Sequence, residues 1–348
     1  MPRRHPPQTR GPFRRTATLV AGLVIAGVVV AGCAPAGSAT ASRPAASPSS
    51  GPTGSPGPPS GPTGSPGVAA SPTASPVASD AAGEAVLIAV GDVGRCDASG
   101  DDETGALAAS LPGTVAILGD TAYDSGSAAE LERCFGESWG AVEDRIRYAA
   151  MGNHDIKTDN GAPLKAYFGD AASRDGRTWF SDDLGAWHVV VLDSNCGFAA
   201  GACSSTSDQV RWLREDLAAS DARCTLAMWH HPRFSSGYHG NSGSVGPFWD
   251  ALHEAGAELV LNGHEHDYER FEPQDPGGAA DAMGGITETV AGTGGGALKP
   301  FERTAPNSLV RIADTYGVLE LTLRTSGWSF RFLATDGTVL DQGDGTCH

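Results

Sequence analysis

Carboxylate, amide, imidazole and phenol side chains recur in five short motifs between residues 91 and 266. The motifs are Gly91-Asp92-Val93-Gly94, Gly119-Asp120-Thr121-Ala122-Tyr123, Gly152-Asn153-His154-Asp155, His230-His231-Pro232 and Gly263-His264-Glu265-His266. Oxygen and nitrogen donors without a thiolate suit hard or borderline metal ions such as iron, manganese or zinc. Each motif alone is common in proteins that bind no metal. Together, in this order, they predict a site for two ions.

The motifs follow short apolar runs that are typical of β-strands. Six such runs span residues 85–90, 114–118, 146–151, 187–192, 225–229 and 258–261, and five of them lead directly into a motif. Runs that are apolar throughout indicate sheets covered on both faces. The glycine in four of the motifs is expected to permit a sharp turn, so that the next side chain enters a shared cleft.

Helical patterns lie between some of these strands, and the chain ends in antiparallel strands. Val210, Leu213 and Leu217 form one face of a predicted helix that begins near Ser207, and residues 249–253 belong to another. Strands are predicted at 286–291, 316–323 and 328–333. The pattern favours mixed sheets packed face to face with flanking helices, with the polar residues at strand ends.

The motif set resembles the calcineurin-like metallophosphoesterases, and within them the purple acid phosphatases. Gly94 stands where many relatives carry a metal-binding His, and Tyr123, three residues after Asp120, supplies a donor as in the purple enzymes. The segment from Gly263 to Arg270 also matches that subgroup. The resemblance covers essentially all of residues 84–348. It implies an α/β fold: a four-layer α/β/β/α sandwich of two mixed β-sheets flanked by helices, with a dinuclear metal site at strand ends.

The resemblance also implies a set of metal ligands. A ferric ion would be held by Asp92, Tyr123, His266 and the bridging Asp120, and a divalent iron, zinc or manganese ion by Asn153, His230, His264 and again Asp120. Asp120 can bridge because a carboxylate offers two oxygens. Metals roughly 3.5–4 Å apart would then clamp the attacking and leaving oxygens of a phosphate ester.

Three further residues match catalytic positions of the family, in which a metal-bound hydroxide attacks phosphorus. His154 and His239 match positions that contact phosphate or protonate the leaving oxygen, and Asp155 is expected to orient His154. Gly240 stands where some relatives carry a second His, so an exposed loop imidazole is an equal alternative for His239. We expect His231 to pack beside Pro232 instead of binding metal.

The leading functional hypothesis is hydrolysis of phosphate monoesters, as in acid phosphatases. A phosphodiesterase or nucleotidase on the same metal centre is the alternative within this chemistry. From another class, the chain could be a non-catalytic, lipid-anchored protein that binds phosphate or metal. The run from Gly292 to Gly296 lacks the Lys of a P-loop, so we interpret it as a flexible turn near the cleft.

The first 83 residues differ in composition from the remainder. Arginines, the apolar run 19–30 and Val30-Ala31-Gly32-Cys33 predict a bacterial lipoprotein signal peptide over 1–33, with the lipid anchor on Cys33. Arg14-Arg15 is a weak twin-arginine signal. Residues 34–83, rich in Pro, Ser, Gly and Thr, predict a disordered tether before the catalytic domain at 84–348. The protein is thus expected to be exported, and either anchored to the outer face of the membrane or secreted.

Charge and cysteine content constrain partners and compartment. From Asp80 onward the chain contains 41 acidic residues and 18 Lys and Arg residues, so no nucleic-acid binding is expected. We expect contact with the membrane only through the lipid anchor. Six cysteines after Cys33 suggest disulfides, with 15 possible pairings. A short Gly/Ala loop favours Cys196–Cys203. Cys96–Cys134 and Cys224–Cys347 are then preferred largely by elimination.

Overall fold

A computed structural model of the chain describes residues 83–198 and 203–348. The predicted signal peptide, the anchor at Cys33 and the tether up to residue 82 lie outside the described residues. Among those described, no helix is both long enough and apolar enough to cross a membrane.

Thirteen strands form in the described part of the chain. They are β1 Ala85–Val90, β2 Thr114–Ile117, β3 Ile146–Ala149, β4 Phe180–Leu184, β5 Trp187–Val191, β6 Cys224–Met228, β7 Leu259–Asn262, β8 Tyr268–Phe271, β9 Thr287–Ala291, β10 Ser308–Ile312, β11 Gly317–Arg324, β12 Gly327–Ala334 and β13 Val339–Thr346. All nine predicted strands are confirmed to within one or two residues. The sequence did not predict β4, β8, β10 and β13, of which β10 carries one charged residue and the other three carry two each.

The helices lie mainly between the parallel strands. They are α1 Gly100–Ser110, α2 Ala128–Glu130, α3 Gly136–Trp139, α4 Ala162–Phe168, α5 Asp208–Ala219 and α6 Gly246–Glu254. A π-helical turn at Leu131–Phe135 joins α2 to α3. The predicted cap of α5 is confirmed, because the Ser207 side chain accepts a hydrogen bond from the Val210 N–H at 3.1 Å.

The strands form two mixed sheets. The first has the order β13-β12-β11-β1-β2-β3, and the second has the order β10-β8-β9-β7-β6-β5-β4. Strands β1, β2 and β3 run parallel, as do β5, β6, β7 and β9, whereas the remaining pairs are antiparallel. Parallel strands end at the same edge of a sheet, so the segments that follow them lie side by side.

Successive residues of the central strands enter different layers of the core. Leu87 and Ala89 of β1 pack between the two sheets, while Ile88 and Val90 pack against the helices outside the first sheet. A third apolar cluster fills the space between the second sheet and helices α5 and α6. The four-layer α/β/β/α sandwich predicted from the resemblance is therefore confirmed.

Three disulfides form, and all three match the predicted pairing. They join Cys96 to Cys134, Cys196 to Cys203 and Cys224 to Cys347. The first ties the loop after β1 to the π-helical turn, and the last ties the start of β6 to the C-terminus.

Candidate metal centre

The predicted metal ligands follow strands of both sheets. Those after β1, β2 and β3 of the first sheet are Asp92, Asp120 and Asn153, and those after β6 and β7 of the second sheet are His230, His264 and His266. Tyr123 lies three residues beyond Asp120. Backbone hydrogen bonds join the two edges, for example from the Gly91 N–H after β1 to the Ala291 carbonyl of β9 at 2.8 Å. The two sheets therefore meet at one cleft.

Each of the two buried carboxylates gives one oxygen to a backbone N–H and presents the other to the cleft. Oδ2 of Asp92 accepts the N–H of His264 at 2.7 Å, and Oδ1 of Asp120 accepts the N–H of His154 at 2.7 Å. Asp92 Oδ1 and Asp120 Oδ2 accept no backbone N–H and are the oxygens available to bind a cation. The bridging role of Asp120 stays a prediction, and Oδ2 is the oxygen that lies close to both Tyr123 and His230.

Three of the predicted ligand residues hold backbone conformations that non-glycine residues rarely adopt. The φ angles are 60° at Asp92, 50° at Asp120 and 73° at His264. Such angles cost on the order of 1–3 kcal/mol each and concentrate at functional sites. They persist here because neighbouring segments hold the turns, as in the 3.0 Å bond from the Asp92 N–H to the Gly119 carbonyl.

The Tyr123 hydroxyl lies at the centre of the first ligand group. It is 2.8 Å from Asp92 Oδ1, 3.0 Å from His266 Nε2 and 3.3 Å from Asp120 Oδ2. Burial, followed by the charges of Asp92 and Asp120, raises the pKa of Tyr123 well above its usual value of 10. A phenolate therefore forms here only if a strong Lewis acid displaces the proton.

His230 anchors the second group. Its Nε2 is 3.2 Å from Asn153 Oδ1 and 3.3 Å from Asp120 Oδ2, and its ring centroid is 5.0 Å from that of His264. Burial alone would lower the pKa of His230, but Asp120 outweighs it and raises the pKa to about 10. The carboxylate thus attracts positive charge to the place that a metal ion would take. Burial and the charge of His230 lower the pKa of His264, which stays neutral.

The imidazoles are oriented as metal ligands are. Nδ1 of His230 donates to the Leu118 carbonyl at 2.9 Å, and Nδ1 of His266 donates to the Ala297 carbonyl at 2.8 Å. Both Nε2 atoms consequently face the cleft. One ligand atom from each of Asp92, Asp120 and His230 lies within 4.8 Å of the others. Buried anionic oxygens that converge with imidazole nitrogens fit cations, so the residues present suit the implied pair of ions.

His231 is closer to this centre than the sequence suggested. One ring nitrogen from each of His230, His231 and His264 lies within 4.8 Å of the other two. Buried Ser194 accepts the His231 backbone N–H at 3.0 Å, and its hydroxyl lies 2.8 Å from His231 Nδ1. If the Ser194 hydroxyl donates its proton to Nδ1 of His231, the ring proton of the neutral imidazole lies on Nε2. Burial and the charge of His230 lower the pKa of His231 to about 3, so the ring is a neutral donor. The prediction that His231 packs beside Pro232 instead of binding metal stays a prediction.

His154 lies at the rim of the centre, and Asp155 lies beneath it. His154 Nε2 is 3.9 Å from Asp120 Oδ2, and its Nδ1 is 2.8 Å from the Asp124 carbonyl. Asp155 accepts the backbone N–H groups of Thr121 at 3.0 Å and Gly152 at 2.8 Å. Burial and the charge of Asp120 raise the pKa of Asp155 to about 7. Asp155 thus joins the loops that carry Asp120 and Asn153. The expected contact between Asp155 and the His154 ring does not form, and the ring contacts the Asp124 carbonyl instead.

His239 reaches the centre from the loop after β6. Its ring stacks on that of His264 with centroids 4.3 Å apart, and its Nδ1 is 3.3 Å from Glu265 Oε2. Buried Glu265 also accepts the backbone N–H groups of His239 at 3.0 Å and Gly240 at 2.7 Å. The sequence motifs did not predict this positioning role of Glu265. The sequence feature that could have indicated this role is an acidic residue between two predicted ligands, His264 and His266.

The glycines matter mainly because the strand ends approach so closely. A Cβ at Gly263 would lie 2.7 Å from Asp92 Oδ2, and one at Gly152 would collide with the backbone of Asp120. The predicted sharp turn is confirmed at Gly119, whose φ is 90°, whereas Gly152 and Gly263 are required by close approach and have no positive φ. The run from Gly292 to Gly296 does lie at the cleft, as predicted. It is buried and hydrogen-bonded to the Asp92 segment, however, and is not a flexible turn.

The sequence profile of the calcineurin-like phosphoesterases matches residues 86–268, which is more than half of the chain. Together with the fold and the convergent donor set, this match shows that the chain belongs to that family. Within it, the chain is purple acid phosphatase-like.

Purple acid phosphatase 15 of Arabidopsis thaliana is 25% identical over 56% of this chain and 42% of that protein. Probable inactive purple acid phosphatase 1 of the same plant is 24% identical over 73% of this chain and 49% of that protein. The solved purple acid phosphatase from yellow lupin seeds superposes with a TM-score of 0.58 at 16% identity, covering 75% of this chain and 53% of that one. The chain thus spans about half the length of the curated relatives it matches.

Proposed function

We propose that the chain hydrolyses phosphate monoesters at a dinuclear metal centre. The observation that carries the proposal is the convergence of two donor groups on Asp120 Oδ2, which is 3.3 Å from both the Tyr123 hydroxyl and His230 Nε2. The residues proposed for one ion are Asp92, Tyr123, His266 and Asp120, and those for the other are Asn153, His230, His264 and Asp120. Such ions, when bound, attract the ester, stabilise its negative charge and lower the pKa of water.

The surrounding residues would orient the ester and handle protons. His154, whose side chain is 23% exposed, lies beside Asp120 where it can contact a phosphate oxygen. His231 offers its Nε2 proton to the same anion. His239 is partly exposed and lies on the far side of His264, where it can protonate the leaving oxygen.

A phosphodiesterase or nucleotidase would use the same donors. Turnover of phenyl phosphate and diphenyl phosphate under identical metal loading distinguishes these activities. We expect kcat/KM for the monoester to exceed that for the diester by at least about tenfold, because His154 and His231 can each contact an unesterified oxygen. A preference for the diester would contradict the monoesterase proposal.

Tyr123 gives a test of the ferric site that does not depend on activity. Ferric iron bound by a phenolate absorbs visible light, so the iron-loaded wild-type protein should be coloured and Tyr123→Phe should be bleached. The visible absorption spectrum at equal iron content is the measurement, and Tyr148→Phe is the control because that ring packs between the sheets. An unchanged spectrum in Tyr123→Phe would exclude the phenolate ligand.

We also propose that Cys33 carries a lipid anchor and that the tether holds the catalytic domain away from the membrane. The basis is the sequence of the first 83 residues alone. Cell fractionation of the full chain should find the wild type with the membrane and Cys33→Ser in the soluble fraction. Equal distribution of both forms would contradict the anchor.

A further inference from the structure

Two cations, Lys299 and Arg303, lie on the segment that joins β9 to β10. The backbone of this segment is fixed beside the metal centre, because the Lys299 N–H donates to the His266 carbonyl at 3.0 Å. The Arg303 N–H donates to the Ser236 carbonyl at 3.4 Å, and the Ala305 N–H donates to the Ser236 hydroxyl at 2.8 Å. Both side chains therefore start from backbone that is tied to the ligand-bearing loops.

The Arg303 guanidinium lies against Gly240, the residue after His239. Its Nη1 occupies the space that a Cβ at Gly240 would fill. Gly240 is the position at which the sequence lacks the second His of some relatives. The guanidinium consequently lies against the residue that directly follows His239.

Lys299 contacts Tyr238, the residue that directly precedes His239. Its Nζ is 4.9 Å from the centroid of the Tyr238 ring, and that ring lies 5.1 Å from the ring of His239. Tyr238 is 54% exposed, so it holds the ammonium at the surface and not in the core. The two cations thus flank the imidazole proposed to protonate the leaving oxygen.

Neither cation is neutralised within the described part of the chain. No carboxylate there lies within ion-pair distance of Lys299 or Arg303, including Glu302 between them in the sequence. By contrast, eight other arginines form ion pairs. In a chain with a formal net charge of −17, two unpaired cations beside the metal cleft make a local binding site for an anion.

We propose that Lys299 and Arg303 form a leaving-group subsite that favours phosphate esters and anhydrides whose leaving group carries its own negative charge. The proposal rests on the proposed function, since it takes hydrolysis to occur at the metal centre with the leaving oxygen directed to His239. A guanidinium beside that oxygen can form a charge-assisted hydrogen bond to a carboxylate or second phosphate on the departing group. Substrates with an uncharged leaving group gain nothing from this contact.

Phenyl phosphate and 3-carboxyphenyl phosphate form a matched pair of substrates, because their leaving phenols differ only in a ring carboxylate. We compare kcat/KM for both esters in the full-length wild type and in the double variant Lys299→Met/Arg303→Met. The double variant should lower the ratio of the carboxylated to the plain ester by about tenfold. This difference should shrink as KCl is raised, because the side chains are exposed to screening.

Arg223→Met is the matched control. It removes an exposed cation just before β6, at the opposite end of the strand from His230. It should leave the ratio at the wild-type value. The subsite proposal would be overturned if the double variant lost kcat/KM equally on both esters and so kept the wild-type ratio. It would also be overturned if Arg223→Met lowered the ratio as much as the double variant does. Wild-type protein that hydrolysed neither ester would refute the proposed function itself, and the subsite with it.

Discussion

Asp120→Asn is expected to release at least one metal ion and to lower turnover of phenyl phosphate by about a thousandfold or more. The reason lies in the orientation of the side chain. The position of Oδ1 must accept the N–H of His154, which lies 2.7 Å away, so an amide would keep its oxygen there. The NH2 group would then occupy the place of Oδ2, facing Tyr123 and His230, and an NH2 group cannot bind a cation.

Metal content by elemental analysis and kcat/KM are the two measurements for this variant. Asp344→Asn is the control, because Asp344 is exposed on β13 and the substitution makes the same change in charge. We expect the control to match the wild type in both. Two retained metals with a wild-type rate in Asp120→Asn would show that Asp120 does not bridge.

Gly152→Ala is expected to damage the centre through a single added methyl group. The new Cβ would collide with the backbone nitrogen and Oδ1 of Asp120, so either the Asp120 turn or the Gly152 strand end must move. Overpacking of this kind costs about 1–3 kcal/mol of stability, or several degrees in Tm for a domain of this size. Because the collision involves the backbone and a carboxylate oxygen of Asp120, the ligands on the two loops lose their mutual alignment, and kcat/KM should fall by about a hundredfold, well beyond what the loss of stability alone would cause.

Gly140→Ala is the matched control for this prediction. No atom lies within 4 Å of the position of a Cβ at Gly140, and its backbone is helical. Thermal unfolding and turnover should therefore match those of the wild type. If Gly152→Ala matched its control in both Tm and turnover, the close approach of the two strand ends would not be required for the site.

The sequence predicted the strand ends well because they obey local rules. Apolar runs of β-branched residues form the central strands, and each run that leads into a polar motif does so at the cleft. The seven ligand positions came from the resemblance, and the structure brings all seven together. Three of the four strands that were missed, β4, β8 and β13, hold charged residues whose partners are distant in sequence. Asp341 of β13, for example, pairs with Arg270 of β8 at 2.7 Å.

The roles of individual side chains around the ligands were harder to predict. His231 joins the centre because Ser194, 37 residues earlier, orients its ring. Asp155 accepts N–H groups from two loops, and Glu265 supports the His239 backbone. Each of these contacts depends on which loops the two sheets bring together, and no local pattern encodes that arrangement.

Metal stoichiometry combined with turnover tests the central proposal most directly. The purified full-length protein is stripped with a chelator, titrated with ferric and divalent ions, and assayed with phenyl phosphate after each addition. We predict two bound ions per chain, no turnover in the stripped protein, and recovery that is complete only at two equivalents. A chain that binds one ion or none, or that binds two and hydrolyses no phosphate ester, would contradict a dinuclear phosphoesterase.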